Sequence, residues 1–476
     1  MRAESWGEGP GLVPTRSRGD ILTPGAQVAA AIEMVAEVET GRRPADDVAA
    51  DYFRRRRYIG AKDRAQVAGH VYAVLRHRSA LDWWIARLGR GMVESAARSR
   101  VLASLVLAEG WRPQSVASCC DGDRFRPALL NPTEMRLIDD LGSRTLRHPQ
   151  MPRAVANGVP EWLATHLEGA FGTGLEREMA ALNAPAPVDL RVNLLKSDRK
   201  SARRALAAEG VEAKPTPWSP IGLRLAERAP LSGLAAFKNG LFDVQDEGSQ
   251  LAALLAGARP GMLVVDFCAG AGGKTLALAA GMANRGKLVA CDVSARRLER
   301  AALRLRRAGV GNVERRVMTS ESDKWVKRHA ASFDRVFVDV PCLGTGTWRR
   351  NPDAKWRARP EDLTELTLRQ QQILRSAARL VRPGGRLIYA TCSLLREEDA
   401  AQAEAFLAAT PDFSLIPAAR AWEETIGGIC PGGEDYLLLT PARHGTDGFF
   451  VAVFQRRPAM GSDPTFDGEI ASLGSR

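Results

Sequence analysis

The stretch Met262-Leu-Val-Val-Asp-Phe-Cys-Ala-Gly-Ala-Gly-Gly-Lys-Thr275 decides the fold. Met262–Phe267 reads as a buried strand, Cys268–Thr275 as a glycine turn, and the residues that follow as a helix. A strand that turns through glycines into a helix builds a ligand crevice at the carboxyl edge of a sheet. Three readings compete there. A nucleoside-triphosphate loop needs glycine five residues before the Gly-Lys-Thr glycine, and Cys268 stands in that place. The dinucleotide spacing Gly-x-Gly-x-x-Gly accepts Gly270 and Gly272 but meets Thr275 at its last position. The third reading is a tight turn with no ligand, because glycine permits close packing as well as ligand approach.

The next strand, Lys287–Asp292, narrows the choice. It ends on a carboxylate that can accept both hydroxyls of a bound ribose, or cap the helix starting at Ser294, or do both. A ribose site without a diphosphate cradle points to a nucleoside cofactor, and S-adenosylmethionine fits. Further apolar strands at Val313–Met318, Arg335–Val340 and Arg386–Ala390 alternate with helical segments, the pattern of a parallel Rossmann-like α/β sheet. Tyr436–Thr440 and Gly448–Phe454 read as two adjacent closing strands, giving a methyltransferase-type domain over 236–457.

Upstream the pattern changes twice. Val188–Leu195 and Ile221–Leu225 read as short strands and Ser201–Ala208 as a helix, so 149–235 is expected to be a small, RRM-like α/β module that binds RNA. Residues 26–148 are all helical. Thr23-Pro24 is a helix start and Gly41 a stop, with further helices at Val48–Arg56, Asp63–Arg78, Ser79–Leu88 and Val101–Glu109. Residues 1–25 and 458–476 read as tails.

The 476 residues carry 67 Lys+Arg against 55 Asp+Glu, a formal net charge of +12, which favours phosphate-bearing partners. No apolar run approaches the roughly 20 residues of a membrane span, and the start lacks the apolar core of a signal peptide. Seven cysteines, an odd number, make no disulfide framework. A cytoplasmic protein with reduced thiols is expected, no membrane association, and a monomer.

Cys342, in Asp339-Val-Pro-Cys-Leu-Gly-Thr-Gly346, and Cys392, in Tyr389-Ala-Thr-Cys-Ser393, both fall just past the ends of strands on the edge where the cofactor binds. Neither has a second Cys or His at short spacing, so no metal is expected. Beside a methyl donor, a thiolate can add to carbon 6 of a pyrimidine and make carbon 5 nucleophilic. Addition needs a proton or hydrogen bond at N3, which Asp339 could give if protonated, with Lys274 holding the base or the Asp in place.

Phe267–Thr275, Asp339–Gly346, Arg349-Arg-Asn-Pro-Asp-Ala-Lys-Trp356, Ala390–Ser393, Gln245-Asp-Glu-Gly-Ser249 and Asp447-Gly-Phe-Phe450 together resemble the RsmB/Nop2/Sun family of RNA 5-methylcytosine methyltransferases. Arg64–Val67 and Val71–Arg76 look like the NusB-type RNA-binding domain of its RsmB members. The resemblance implies that Cys392 attacks the base and that Cys342 assists product release. In DNA cytosine methyltransferases the Pro-Cys cysteine attacks instead, so having both favours RNA. Cofactor contacts are implied at Cys268, Ala269, Gly270, Ala271, Gly272, Gly273, Lys274, Asp292 and Asp339. Gly270-Ala271 replaces the usual Ala-Pro, and Thr319-Ser320 stands where the family's third strand ends in Asp, leaving Ser320, Glu321 or Asp323 to meet the adenine. The implied substrate is a cytosine of small-subunit ribosomal RNA. Transfer RNA is the alternative, and a non-catalytic RNA-binding assembly factor is the reading from another class. Two basic clusters, Arg54–Arg57 and Trp348–Arg357, are the candidate RNA contacts. The arginines of the helix after Asp292, Arg304 among them, are expected to be a solvated face.

Overall fold

The computed structural model describes residues 22–41, 43–89 and 96–458. Apart from residues 22–25 and 458, the expected tails lie outside the described residues. The chain forms two compact units, one of residues up to Glu161 together with Asn351–Arg357, the other of Trp162–Arg350 and the chain from Ala358 onward.

Helices are the only regular elements among the described residues of the first unit. Thr23 caps the helix Pro24–Thr40, its hydroxyl accepting from the Ala26 amide, and Gly41 ends it. Where two stretches were expected there is one 28-residue helix, Ala61–Leu88. No Gly or Pro breaks it at Ser79, whose hydroxyl donates to the Val155 carbonyl at 3.1 Å. Val28, Met34, Val71, Leu75 and Leu102 are among the side chains of its core. A segment far away in sequence completes the unit. The buried Lys355 ammonium donates to the Arg76 carbonyl at 3.3 Å, the Trp356 indole donates to the Leu75 carbonyl at 2.6 Å, and Asp353 accepts the Ala45 amide at 3.1 Å.

The second unit holds two sheets. The smaller comprises β1 (Asp189–Val192), β2 (Ala213–Pro215), β3 (Gly222–Leu225) and β4 (Phe242–Val244), antiparallel in the order β2-β3-β1-β4. With helices Arg199–Ala208 and Ala235–Lys238 this is a βαββαβ ferredoxin-like arrangement. β4 carries the sheet past the boundary expected at 235. Leu190, Val192, Leu223 and Phe242 pack with Ala202 and Leu206 of the first of these helices. The opposite face would be the one to stack bases in an RNA-binding sheet of this topology. Here it carries Asp189, Arg191 and Arg224, without aromatics on β1 or β3, and it is covered by the larger domain. Arg191 donates to the Gly273 carbonyl at 2.5 Å and Arg224 to the Gly445 carbonyl at 3.2 Å.

The larger sheet is built from β5 (Leu263–Asp266), β6 (Lys287–Asp292), β7 (Val313–Val317), β8 (Phe333–Asp339), β9 (Val381–Thr391), β10 (Phe413–Ile416), β11 (Leu437–Leu439) and β12 (Phe449–Arg456). Its order is β10-β12-β9-β8-β5-β6-β7, with β5 to β9 parallel and β12 antiparallel to β9. The five expected parallel strands are present. β11 pairs with β12 as expected, along Phe449–Val451, while the unexpected β10 takes the other end of the same strand, Val453–Arg456. The chain steps from β5 outward in both directions, to β6 and to β8, so a crevice opens at the carboxyl end of β5. That topology alone brings the ends of β5, β6, β8 and β9 to one edge.

Two glycines weld this edge together. The Gly448 amide donates to the Gly346 carbonyl at 2.9 Å, and a Cβ on Gly346 would lie 2.4 Å from the Gly448 oxygen. The neighbour is backbone and cannot yield. Gly346→Ala should therefore cost about 1–3 kcal/mol, read as a lower urea midpoint; an unchanged midpoint would show that the two backbones can part freely.

Candidate active site

A cavity of about 610 Å³ opens at this edge. Its floor is the glycine turn. Gly270 and Gly272 adopt positive φ, 55° and 79°, which glycine tolerates and other residues rarely do. A Cβ on Gly270 would meet nothing within 4 Å, so the cost of a side chain here is backbone strain rather than crowding. The Gly270 amide donates to Asp292 Oδ2 at 2.8 Å, and the Ser294 amide to Asp292 Oδ1 at 2.7 Å. Asp292 thus ties the turn to the next helix, and each of its oxygens keeps a lone pair for a ligand hydroxyl. Arg304 is not part of a solvated face: it donates to the Ala271 carbonyl at 2.9 Å and pairs with Asp243 at 3.0 Å, bracing the turn from behind. Arg306 remains exposed.

Asp266, at the end of β5, is buried and accepts the Thr275 hydroxyl at 2.6 Å, while its other oxygen has no partner. Burial lifts its pKa from 3.8 to about 7. Lys274 reaches across to Asp339 at 2.7 Å. Burial works against its ammonium, but the Asp339 carboxylate outweighs that and raises its pKa above the ordinary lysine value.

The two thiols meet. Cys342 Sγ and Cys392 Sγ lie 3.4 Å apart, and both line the cavity. The hydrogen bond to Cys392, and then burial, push the Cys342 pKa well above the usual thiol range, so Cys342 keeps its proton as donor. The loop bearing Cys342 is held by residues that carried no sequence signal. The Leu343 amide donates to Glu398 at 3.0 Å, and the Gln370 amide group donates both to the Pro341 carbonyl at 3.0 Å and to Glu398 at 2.9 Å. Tyr389 donates its hydroxyl hydrogen to the Glu398 carbonyl at 2.6 Å.

Of the three residues expected near the adenine, Ser320 and Glu321 line the cavity, together with Met318. Asp323 does not. Its carboxylate accepts the Thr319 and Trp325 amides at 3.0 and 2.8 Å, hydrogen bonds that hold its pKa down to about 2. The Trp348–Arg357 cluster is corrected as well. Trp348, Arg349 and Lys355 are buried, and Arg349 and Arg350 both pair with Asp246 and Asp447 at 2.5–3.2 Å. These cations hold the fold together instead of facing an RNA. In the other cluster, Arg54, Arg55 and Arg56 pair with Asp51, Glu37 and Glu33, while Arg57 is without a partner among the described residues.

A glycine turn without a phosphate cradle, a carboxylate ending the second strand and a cavity between them suit a nucleoside cofactor; Asp292 would take the ribose, and Asp266, one of whose buried oxygens has no partner, lines the same cavity. Fold and site define a class I S-adenosylmethionine-dependent methyltransferase. A profile of the family described as 16S rRNA methyltransferase RsmB/F matches residues 253–455, and one for the RsmF/B-like ferredoxin-like domain matches 159–232. The chain is 34% identical over 401 residues to the ribosomal RNA small subunit methyltransferase B of Xylella fastidiosa strain Temecula1, covering 82% of this chain and 89% of that one. It is 36% identical over 301 residues to the protein of that name from Pasteurella multocida, covering 62% of this chain and 65% of that one. The solved structure of PH0851 superposes with a TM-score of 0.74 at 26% identity, over 92% of this chain and 100% of that one. The chain belongs to the RsmB/F methyltransferase family.

The raised pKa of Asp266 has a signed consequence. Folded protein holds this proton up to about pH 7, whereas the unfolded chain releases it near 3.8. The stability it contributes is present in full below the lower value and is lost as pH rises through the higher one. Asp266→Asn should therefore melt progressively higher relative to the unmutated, cofactor-free protein as pH climbs from 4 to 7.5. Parallel melting curves across that range would mean Asp266 ionises as it does in water.

Proposed function

We propose that this protein forms 5-methylcytosine in small-subunit ribosomal RNA, with Cys392 as the attacking thiolate and Cys342 assisting release. The observation that carries the reading is the 3.4 Å approach of two thiols on the wall of a methyltransferase cavity. A methyltransferase acting on oxygen, nitrogen or an activated carbon needs no thiol there. Carbon 5 of a pyrimidine does, because only addition of a nucleophile at carbon 6 makes it reactive. The names of the relatives support ribosomal RNA as the substrate, and the helical unit is read as its NusB-like RNA-binding domain.

S-adenosylmethionine, when bound, supplies the methyl group. The chain's own residues do the rest. The target base must leave its stack to enter the cavity. There the Lys274 ammonium is the proton donor for N3, since Asp339, paired with it at 2.7 Å, serves as an acceptor. The Asp339 carboxylate accepts from the exocyclic amine of cytosine; uracil offers a carbonyl in that place and would be repelled. The Cys392 sulfur then bonds to carbon 6, shifting the π electrons to carbon 5. After methylation, the carbon-5 proton passes to water, its bonding pair restores the double bond as the Cys392 sulfur leaves with the electrons of the carbon–sulfur bond, and the N3 proton returns to Lys274. Cys342, the thiol that keeps its proton in the resting site, stands next to the sulfur that must depart.

Cys392→Ala should lower single-turnover methylation of ribosomal RNA by at least about a thousandfold. Cys342→Ala should instead trap a covalent protein–RNA complex, seen as a band resistant to denaturation. A trapped complex with Cys392→Ala would reverse the two roles. Bisulfite mapping of ribosomal and transfer RNA, with and without the protein, identifies the substrate.

A further inference from the structure

Two arginines on the cavity wall, Arg297 and Arg369, have guanidinium groups with no hydrogen-bond or ion-pair partner among the described residues. Around them the other arginines are committed: Arg191 and Arg304 to carbonyls of the glycine turn, Arg349 and Arg350 to Asp246 and Asp447. Arg297 sits in the first turn of the helix after Asp292, on the ribose side of the site. Arg369 sits elsewhere, on the helix Pro360–Ala378.

That helix is rigidly placed against the reacting thiols. Leu363, Gln370, Ile373, Leu374 and Ala377 form its buried side, and Gln370 is bonded to the Pro341 carbonyl beside Cys342. Arg369 and Ile373, one turn apart, share one side of the helix and both line the cavity. Arg369 is nevertheless exposed, so it stands on the rim. Beyond it the solvent side of the helix carries Leu368, 55% exposed, then Arg375 and the C-capping Arg379, both exposed, their guanidinium groups without partners among the described residues. By helix rise the two lie about 9 and 15 Å along the axis from Arg369.

A base that swings into the cavity brings its own phosphodiester to the rim. A planar guanidinium uncommitted to any carboxylate, on a helix that Gln370 ties to the Cys342 loop, is suited to hold that phosphate by two parallel hydrogen bonds. We propose that Arg369 grips the phosphodiester of the target nucleotide, and that Arg375 and Arg379 carry the strand onward along the helix. This rests on the reading of RNA as substrate. The carboxylate of the cofactor is the other anion that could reach an arginine here, and the experiment separates the two.

The test uses full-length protein, an RNA fragment methylated by the unmutated enzyme, and S-adenosylmethionine. Arg369→Gln should raise the RNA KM about tenfold and reduce the slope of log affinity against log salt by about one. Its affinity for S-adenosylmethionine, measured by calorimetry, should not change. Arg369→Lys should keep the salt slope, because the charge remains, while losing part of the affinity. Arg375→Gln combined with Arg379→Gln should lower the slope further. Weakened cofactor binding with an unchanged RNA slope would overturn the proposal in favour of the carboxylate, and no change in either would overturn it outright. An unmutated protein that methylates no RNA defeats the functional reading itself, whereas normal RNA turnover with a wild-type slope in Arg369→Gln defeats this inference alone.

Discussion

Four paired charges, three of them buried, hold together the part of the molecule on which catalysis depends. Arg349 and Arg350 each bridge Asp246 and Asp447, and the Asp447 amide closes the group by donating to Asp246 at 3.0 Å. Asp246 caps the helix Glu247–Leu254, Asp447 precedes β12, and the two arginines end the segment that begins at Asp339 and Cys342. Removing one member would leave an uncompensated charge in the interior, a loss of about 3–5 kcal/mol. The cluster pins the Cys342 loop at its far end, while Glu398 and Gln370 pin it near the sulfur. Between these anchors the backbones of Gly346 and Gly448 touch, so the loop has little freedom to move Cys342 away from Cys392.

Polar burial around the site follows one logic. Charges that shape the backbone are paired and removed from water, as Arg304 is with Asp243 and the Ala271 carbonyl. Groups left with unused capacity belong to residues that line the cavity: Asp266 with its unpartnered oxygen, the thiol pair, and the Lys274–Asp339 couple. An ammonium and a carboxylate side by side offer a donor and an acceptor in fixed order, the pattern that the N3 and amino edge of cytosine presents in reverse. The same economy explains why so many arginines near the site are structural.

Much of this was legible in the chain. Period and punctuation located the five parallel strands, since each is an apolar run bounded by a turn. The glycine turn, Asp292 and both cysteines were placed at the cofactor edge because residues at the carboxyl ends of parallel strands must gather there. β10 escaped notice because four residues paired only to an antiparallel edge carry a weak pattern. The break expected at Ser79 was absent because no Gly or Pro stands there, and the helix simply continues. The arginines misled more seriously. In Trp348–Arg357 cations and aromatics alternate as they do in RNA-binding segments, yet Arg349 and Arg350 face carboxylates about a hundred residues away, and Lys355 and Trp356 bond carbonyls of the helix Ala61–Leu88, roughly 280 positions earlier in the chain.

Local sequence determined what local physics controls: the strand and helix periods, the glycines that accept positive φ, the capping residues, and the chemical types delivered to each strand end. Tertiary structure alone decided which charges are spent and which are free. A guanidinium looks the same in sequence whether it faces water or a carboxylate, because the difference lies in a partner that sequence distance conceals. Arg349 and Arg369 show the contrast. One belongs to a conspicuous motif and is buried in an ion cluster, and the other belongs to none and stands unpaired at the rim of the cavity. The distance between the two thiols, likewise, depends on β8 and β9 lying side by side, a pairing that only the folded sheet creates.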